Sequence, residues 1–328
     1  MGCGEPMEAV SYISKLRVMA VQADPPEITP GERTTLSVLW GDPEGEGREV
    51  SFVWIVLPGS FSPDSSLPDI EEEDIPFFYF HVGTSATDGP IFRIPPIPTD
   101  ILDTRPPDET RDEDEEKLGI KSMGATAVLS VCADGERPDA DELEEMFGND
   151  EASDMAGIGD LDLDALCKGG EHVVTFKTFR ISDADEDNPN RNTNPELTEF
   201  VFNGEILDED SDETPQLPNI YQCKNTANCL EGADVEANMT DESFQKYDNI
   251  EFKKVVEKDE APYISWFADG GDLQNSHSRT VEPPGPFENV WAPPLDGGEF
   301  TLWVVAHDLR GGTSWKRFRI GAETTMTH

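Results

Sequence analysis

The sequence predicts an all-β chain, built as two tandem β-sandwiches with long acidic loop insertions. Three observations predict it. Short β-branched and aromatic runs recur along the 328 residues. Clusters of Pro, Gly and Asp separate those runs, and such clusters supply the backbone conformations that turns need. The two halves repeat one succession of segments, and each succession includes a strand ending in tryptophan.

In chain order, "LRVMAVQA" (16–23), "RTTLSVLW" (33–40) and "VSFVWIVL" (50–57) read as strands, broken by "DPPEITPGE" and "GDPEGEG". "FFYFHV" (77–82), "ATAVLSVC" (125–132) and "HVVTFKTFRI" (172–181) complete the first half. The second half offers "LTEFVFNG" (197–204), "NIEFKKVV" (249–256), "YISWFA" (263–268), "EFTLWVVAHD" (299–308) and "SWKRFRI" (314–320). In the last of these, Trp315, Arg317 and Arg319 alternate with Lys316, Phe318 and Ile320, the period of a strand with two different faces. Helical periodicity is scarce; "DADELEEMF" (139–147) and "GDLDLDAL" (159–166) are short helix candidates inside an insertion. Residues 58–76, 84–124, 133–171 and 205–247 are polar, with "RPPDETRDEDEEK" the extreme case. Such compositions bury too little apolar surface to offset ordering entropy, so these segments are expected to be loops or disordered.

The repeat aligns "SFVW" (51–54) with "YISW" (263–266), "TAVLSVCADG" (126–135) with "TLWVVAHDLRGG" (301–312), and "VTFKTFRI" (174–181) with "TSWKRFRI" (313–320). A tryptophan packed between two sheets is the central-strand feature of immunoglobulin-like sandwiches. The early strands lack the cysteines of an antibody domain, as fibronectin-like sandwiches do. The expected organisation is a tether (1–15), a first sandwich with acidic insertions (16–182), an acidic linker (183–196), a second sandwich (197–321) and a tail (322–328).

The net charge is -45, from 24 Lys and Arg against 69 Asp and Glu. Nucleic acid is excluded as a partner, because phosphate binding needs a basic surface. Docking on anionic lipid through a polybasic patch is excluded on the same ground. Three readings fit the charge: a solvated acidic surface, a salty habitat, or carboxylates partly neutralised by divalent cations. No run of about 18 apolar residues is present that would span a bilayer as a helix.

Five cysteines are an odd number. Cys223 and Cys229 lie close together in "CKNTANC", and Cys132 and Cys167 flank an acidic insertion. Those four form two pairs among the three connectivities that four cysteines allow, and Cys3 is left over. A leftover cysteine so near the first residue points to a modified end.

"ISKLRVMAVQADPPEITPGERTTLSVLWGDPEG" resembles the mature start of a group of surface or periplasmic lipoproteins of myxobacteria and related bacteria. The stretch from "ISWFADGGDLQNSHSRT" to "SWKRFRI" is similar to the second domain of the same group. The resemblance implies that Gly2–Cys3 is the tail of a lipobox and that Cys3 carries the lipid, although the upstream leucine and signal segment of that pattern are not in the sequence. A multiply acylated cysteine is a firm membrane anchor, at about 0.8 kcal/mol per buried CH₂. Gly4, where aspartate would signal inner-membrane retention, implies an outer-membrane location.

One segment carries candidate metal chemistry. In "ISDADEDNPNRNTNP" (181–195), Asp183, Asp185 and Asp187 alternate and Asn188 and Asn190 follow. Ca²⁺ takes six to eight hard oxygens from carboxylates, carbonyls and amides. The linker is similar to the Asp/Asn-rich linkers of cadherin-like proteins, so calcium at the junction is the expectation here. It is not an EF-hand, because the glycine and glutamate of that loop are missing. Enzyme signatures are poor: no HExxH, nucleophile elbow, P-loop or dinucleotide fingerprint occurs. Asp269, His277 and Ser278 lie near each other in a turn-rich loop, which is not a triad geometry. Trp291, read as a loop residue in "ENVWAPP", is a candidate for stacking on a sugar or peptide.

The sequence thus predicts a non-enzymatic, lipid-anchored outer-membrane or cell-surface protein that binds or scaffolds a protein or glycan partner. A calcium-stiffened adhesion module is the alternative within binding proteins. A hydrolase or carbohydrate-active protein with its site in the inserted loops is the alternative from another class.

Overall fold

The computed structural model describes residues 11–43, 48–59, 77–87, 89–105, 108–139, 141–143, 163–209, 219–280 and 283–324. Cys3 and residues 210–218 lie outside them, as do most of 139–162.

The first half forms β1 (Arg17–Asp24), β2 (Glu27–Ile28), β3 (Thr35–Gly41), β4 (Val50–Pro58), β5 (Tyr79–Thr84) and β6 (Ile91–Arg93). Helix α1 (Glu109–Leu118) precedes the long strands β7 (Ser122–Ala133) and β8 (Glu171–Ser182). A three-stranded sheet, β1-β3-β6, faces a five-stranded sheet, β2-β8-β7-β4-β5. Leu36, Val38 and Phe92 from one sheet meet Phe52, Trp54, Leu129 and Phe179 from the other in a shared core.

The second half forms β9 (Leu197–Phe202), β10 (Glu205–Leu207), β11 (Asn219–Cys223), α2 (Thr226–Glu231) and β12 (Ala233–Met239). There follow β13 (Lys246–Glu251), β14 (Lys254–Asp259), β15 (Tyr263–Ala268), β16 (Asp272–Leu273), β17 (His277–Arg279), β18 (Phe287–Ala292), β19 (Gly298–His307) and β20 (Thr313–Thr324). Sheets β10-β9-β12-β18-β16 and β11-β20-β19-β15-β17 enclose the second core.

The repeat seen in the sequence is a repeat of topology. In each half a short strand runs parallel to the closing strand, β2 to β8 and β11 to β20. The closing strand, the long strand and the tryptophan strand then pair antiparallel, as β8-β7-β4 and β20-β19-β15. Trp54 and Trp266 occupy matching places, both fully buried. Each indole N–H is satisfied locally, Trp54 donating to Gly89 O and Trp266 to Ser278 Oγ, both at 2.8 Å.

Four expectations from the sequence are corrected. Part of 84–124 is the helix α1, which buries no side chain, so it has no apolar stripe to reveal it. It is set by local chemistry: Asp108 caps the Thr110 and Arg111 amides, Gly119 closes the other end at φ 68°, and Arg105 grips Glu115. Residues 205–247 contain β10, β11, α2 and β12, which complete the second sandwich. "NIEFKKVV" is two strands, because Phe252 and Lys253 turn the chain between β13 and β14. The helix expected over 159–166 is a 3-10 turn at Leu163–Leu166. Of the helix expected over 139–147, residues 139 and 141–143 are described, and 141–143 are helical.

The insertion between β7 and β8 is tied back at its base. Cys132 and Cys167 form a disulfide, and Glu136 and Lys168 exchange backbone hydrogen bonds. Leu143 and Leu166 from it cover the outer face of the five-stranded sheet, over Val53, Ile55, Leu57 and Val128. That cover explains why all nine residues of β4 are buried.

The two sandwiches also share a small apolar core. Met19 and Ala20 of β1, with Ile13, pack against Phe267, Trp303 and Val305. The segment before β1 reaches the second sandwich: Ile13 N–H donates to Ala268 O at 3.0 Å, and Ala268 N–H donates to Ser11 O at 2.9 Å.

Candidate functional site

The polar side chains that converge most densely lie beside that interface, at the junction of the two sandwiches. The turn between β19 and β20 carries them. Asp308 Oδ1 accepts the N–H groups of Arg310 and Gly312, each at 2.7 Å, and so folds the turn on itself. A Cβ on Gly312 would lie 2.0 Å from Asp308 Oδ2, so the turn requires glycine there.

The folded turn aims Arg310 into a cage of oxygens. Its Nε donates to Glu260 Oε1 at 3.0 Å, and its Nη1 donates to Asn190 O at 2.8 Å. Its Nη2 donates to Asn192 Oδ1 at 2.8 Å and Gln245 Oε1 at 2.6 Å. The Tyr247 ring lies 4.7 Å from the guanidinium carbon, close enough for a cation–π contribution. Five donors in a rigid plane suit a guanidinium to this arrangement where an ammonium would not.

The linker is thereby stitched to both sandwiches. Asn192 N–H donates to Glu27 Oε2 at 2.9 Å, while its side chain receives Arg310. Glu27, fully buried, also accepts from Ser182 Oγ. Arg191 pairs with Glu32 at 2.8 Å. Asn194 donates to Ala23 O and accepts from Thr313 N–H. From β8, Lys177 Nζ crosses to Gly311 O at 2.5 Å and Thr313 Oγ1 at 2.9 Å.

Burial dominates the electrostatics. It pushes the Glu260 carboxyl up to about 7, against the pull of Arg310. It pushes Lys177 down to about 8. It pushes His307 down to about 4, helped by the cationic Lys177, while the imidazole stacks on Tyr263 at 4.7 Å. These groups are held by the fold, and each contact named above joins one part of the chain to another.

The residues of the calcium expectation take separate places. Asp183 Oδ1 accepts the Lys121 amide, and Asn188 Oδ1 accepts the Asn190 amide. Asn190 Oδ1 accepts the Asp248 amide. Asp183, Asp185 and Asp187 are exposed. No group of three or more His, Cys, Asp or Glu among the described residues is placed to hold a metal ion. The carbonyl and amide oxygens that do converge, from Asn190, Asn192 and Gln245, surround Arg310, a cation supplied by the chain. Sequence reasoning missed Arg310 because it lies 120 residues from Asn190; the signal available was "HDLRGG", the polar turn of the repeat.

The other predicted residues separate. Trp291 is corrected: it lies on β18, fully buried, with its indole N–H donating to Gly270 O at 2.8 Å. It packs against Phe202 and Phe300 and cannot stack on an external ligand. Cys132–Cys167 and Cys223–Cys229 are the two disulfides, which fit an oxidising compartment. Ser278 is committed to Trp266 and Glu288 O, His277 to Ser276, and Asp269 to the Thr301 amide. Ser130 does meet His172 Nε2 at 2.8 Å, but it is fully buried between strands.

No family model and no curated protein matches the sequence. Among solved structures, dimeric latent PorU from Porphyromonas gingivalis is 12% identical with a TM-score of 0.22, over 96% of this chain and 24% of that one. Escherichia coli alpha-2-macroglobulin activated by porcine elastase is 9% identical with a TM-score of 0.24, over 96% of this chain and 23% of that one. The chain spans about a quarter of the length of these two. The two tandem V-type regions of VCBP3, a v-region-containing chitin binding protein, are 9% identical with a TM-score of 0.26, over 94% of this chain and 100% of that one. Likenesses this slight leave the function to be argued from the chain itself.

Proposed function

We propose that this protein is a non-enzymatic binding or scaffolding module of the cell envelope, in which two β-sandwiches act as one rigid body. The observation that carries the proposal is the Arg310 cage: a guanidinium donating at 2.6–3.0 Å to four oxygens from the linker and the second sandwich. The linker in turn is fastened to Glu27 and Ala23 of the first sandwich. The junction chemistry therefore serves shape. On this reading the protein belongs with the myxobacterial lipoprotein group it resembles. Cys3, the cysteine left over by the two disulfides, carries the lipid anchor, and the partner is a protein or glycan at the outer membrane.

The test is small-angle X-ray scattering of the intact chain with excess Ca²⁺, with chelator, and as Arg310→Met. The expected result is one compact profile, indifferent to calcium, that broadens in the variant. A profile that compacts only when calcium is added would replace this reading with the calcium-stiffened adhesion module. Intact mass of protein from its native membrane tests the anchor separately: acyl mass on Cys3 is expected, and an unmodified Cys3 would remove the lipid from the proposal.

A further inference from the structure

The turn between β13 and β14 holds Phe252 at φ 50° and Lys253 at φ 66°. Both are in the left-handed region, where two-residue hairpin turns usually place Asn or Gly. Phe252 is 97% exposed, and Val255 and Val256 are 44% and 37% exposed. The Lys253 side chain is 84% exposed and lies 3.9 Å from Glu113 of α1; Lys254 is exposed as well. Left-handed residues other than glycine cluster at functional sites, and here they set a phenyl ring in water. The tip is an exposed phenyl ring flanked by Lys253 and Lys254, with Glu251 opposite Lys254 across the turn, on a chain of net charge -45.

A complementary surface exists on the same molecule. On the outer face of β9-β12-β18, Glu236 stands opposite Glu288 on one side and Val201 on the other. Asp234 stands opposite Val290. Like charges directly opposed across strands repel, so this face gains from a cationic partner. These five residues line a groove of about 510 Å³, roomy enough for a phenyl ring. Net charge repels anionic lipid and a second copy alike, so the occupant is chosen by the local match of Lys253 and Lys254 to the carboxylates of Glu236 and Glu288.

We propose that the Phe252 finger of one chain docks in the Glu236–Glu288 groove of a second copy. Phe252 fills the groove, and Lys253 and Lys254 meet its carboxylates. The contact is heterologous, so each chain offers one finger and one groove and the pairing propagates. The inference names a partner for the binding reading above and rests on it. The two are tested apart, since scattering reads the junction and self-association reads the finger.

The experiment is sedimentation velocity of the intact protein from micromolar to near-millimolar concentration. Salt is set near 0.15 M, where the screening length is about 8 Å and the repulsion between copies is local. The sedimentation coefficient should rise with concentration. Phe252→Asp, and separately the pair Glu236→Lys with Glu288→Lys, should each weaken association by about tenfold or more. Melting temperatures close to wild type would show that both variants fold. Mixing the two defective proteins should restore a one-to-one pair, because one keeps its groove and the other its finger, while longer assemblies stay absent. A wild-type chain that remains monomeric throughout overturns the proposal. So does a mixture that fails to pair. Binding to phosphatidylglycerol vesicles that Phe252→Asp abolishes, without self-association, would also overturn it and assign the finger to lipid.

Discussion

Replacing Arg310 with methionine keeps most of the side-chain volume and removes the charge at the centre of the junction. The arginine side chain is 12% exposed and its partner Glu260 1%. Removing one member of a buried ion pair costs about 3–5 kcal/mol, because the survivor is left charged and unpaired. Glu260 offers partial relief, since burial already holds it near 7 and it can take up a proton. Asn190 O, Asn192 Oδ1 and Gln245 Oε1 each lose a charged donor, and water reaching the site replaces part of that. The expected loss is about 4 kcal/mol above pH 8 and about 2 kcal/mol at pH 5, where Glu260 is neutral in the folded chain. The sign follows from linkage. Glu260 ordinarily titrates at 4.5 and in the fold at about 7, so between those values the folded chain holds a proton that the unfolded chain has released. Its contribution to stability therefore falls as pH rises through that window. In Arg310→Met the carboxyl moves further up and the penalty extends to higher pH. Urea unfolding at pH 5, 7 and 8.5 reads the difference from wild type. A penalty below about 1 kcal/mol, or one equal at all three pH values, refutes the cage as a buried charge pair.

His307 adds an opposing dependence. Its fall from 6.5 to about 4 makes the unfolded chain the better proton acceptor between those values. Stability is lost as pH drops through the window, by about 3 kcal/mol at about 1.4 kcal/mol per pH unit. His307→Phe should keep the Tyr263 stack and remove that term, so the variant-minus-wild-type difference in urea unfolding should depend on pH between 7 and 4; a flat difference contradicts it. Trp291→Ala should cost about 3–5 kcal/mol, as a buried aromatic does; a loss under 1 kcal/mol in thermal or urea unfolding would return Trp291 to the surface. The disulfides should differ in weight because they close loops of 35 and 6 residues. Paired Cys→Ser replacement should cost about 4 kcal/mol for Cys132–Cys167 and about 2 for Cys223–Cys229 on the chain-entropy account; equal costs, or the reverse order, would contradict it.

The β class and the doubled unit were legible because strands and their repeat are local patterns. "SFVW" and "YISW" lead to Trp54 and Trp266 at matching places, and the Phe-Arg-Ile endings lead to β8 and β20. What stayed hidden depends on partners distant in sequence. α1 has no apolar stripe, so periodicity is silent about it; the Asp108 cap and Gly119 were the readable signs. The β13–β14 hairpin was read as one strand because Phe252-Lys253 is not turn chemistry. Trp291 followed a loop reading of "ENVWAPP", yet Asn289 and Trp291, with Phe287 just before that stretch, alternate inward on β18. At the junction, the sequence showed that oxygens gather around 183–195 and that such a gathering calls for a cation. It could not show that Arg310 would fold back among the oxygens of Asn190, Asn192 and Gln245. The unbroken apolar run of β4 did carry a sign of its second cover, because a strand buried on both faces has no reason to alternate.

The strap at Ser11–Ile13 changes how the molecule bears tension. The chain is fastened to Ala268 of the second sandwich before it enters β1 of the first. A pull arriving from the N-terminal side is shared at that point between two paths, one through β1 and one through the strap hydrogen bonds and Ile13 in the shared core. Beads on a string would feel such a load one after the other; here the two sandwiches take it side by side, and the bond pair at Ala268 is the first mechanical fuse.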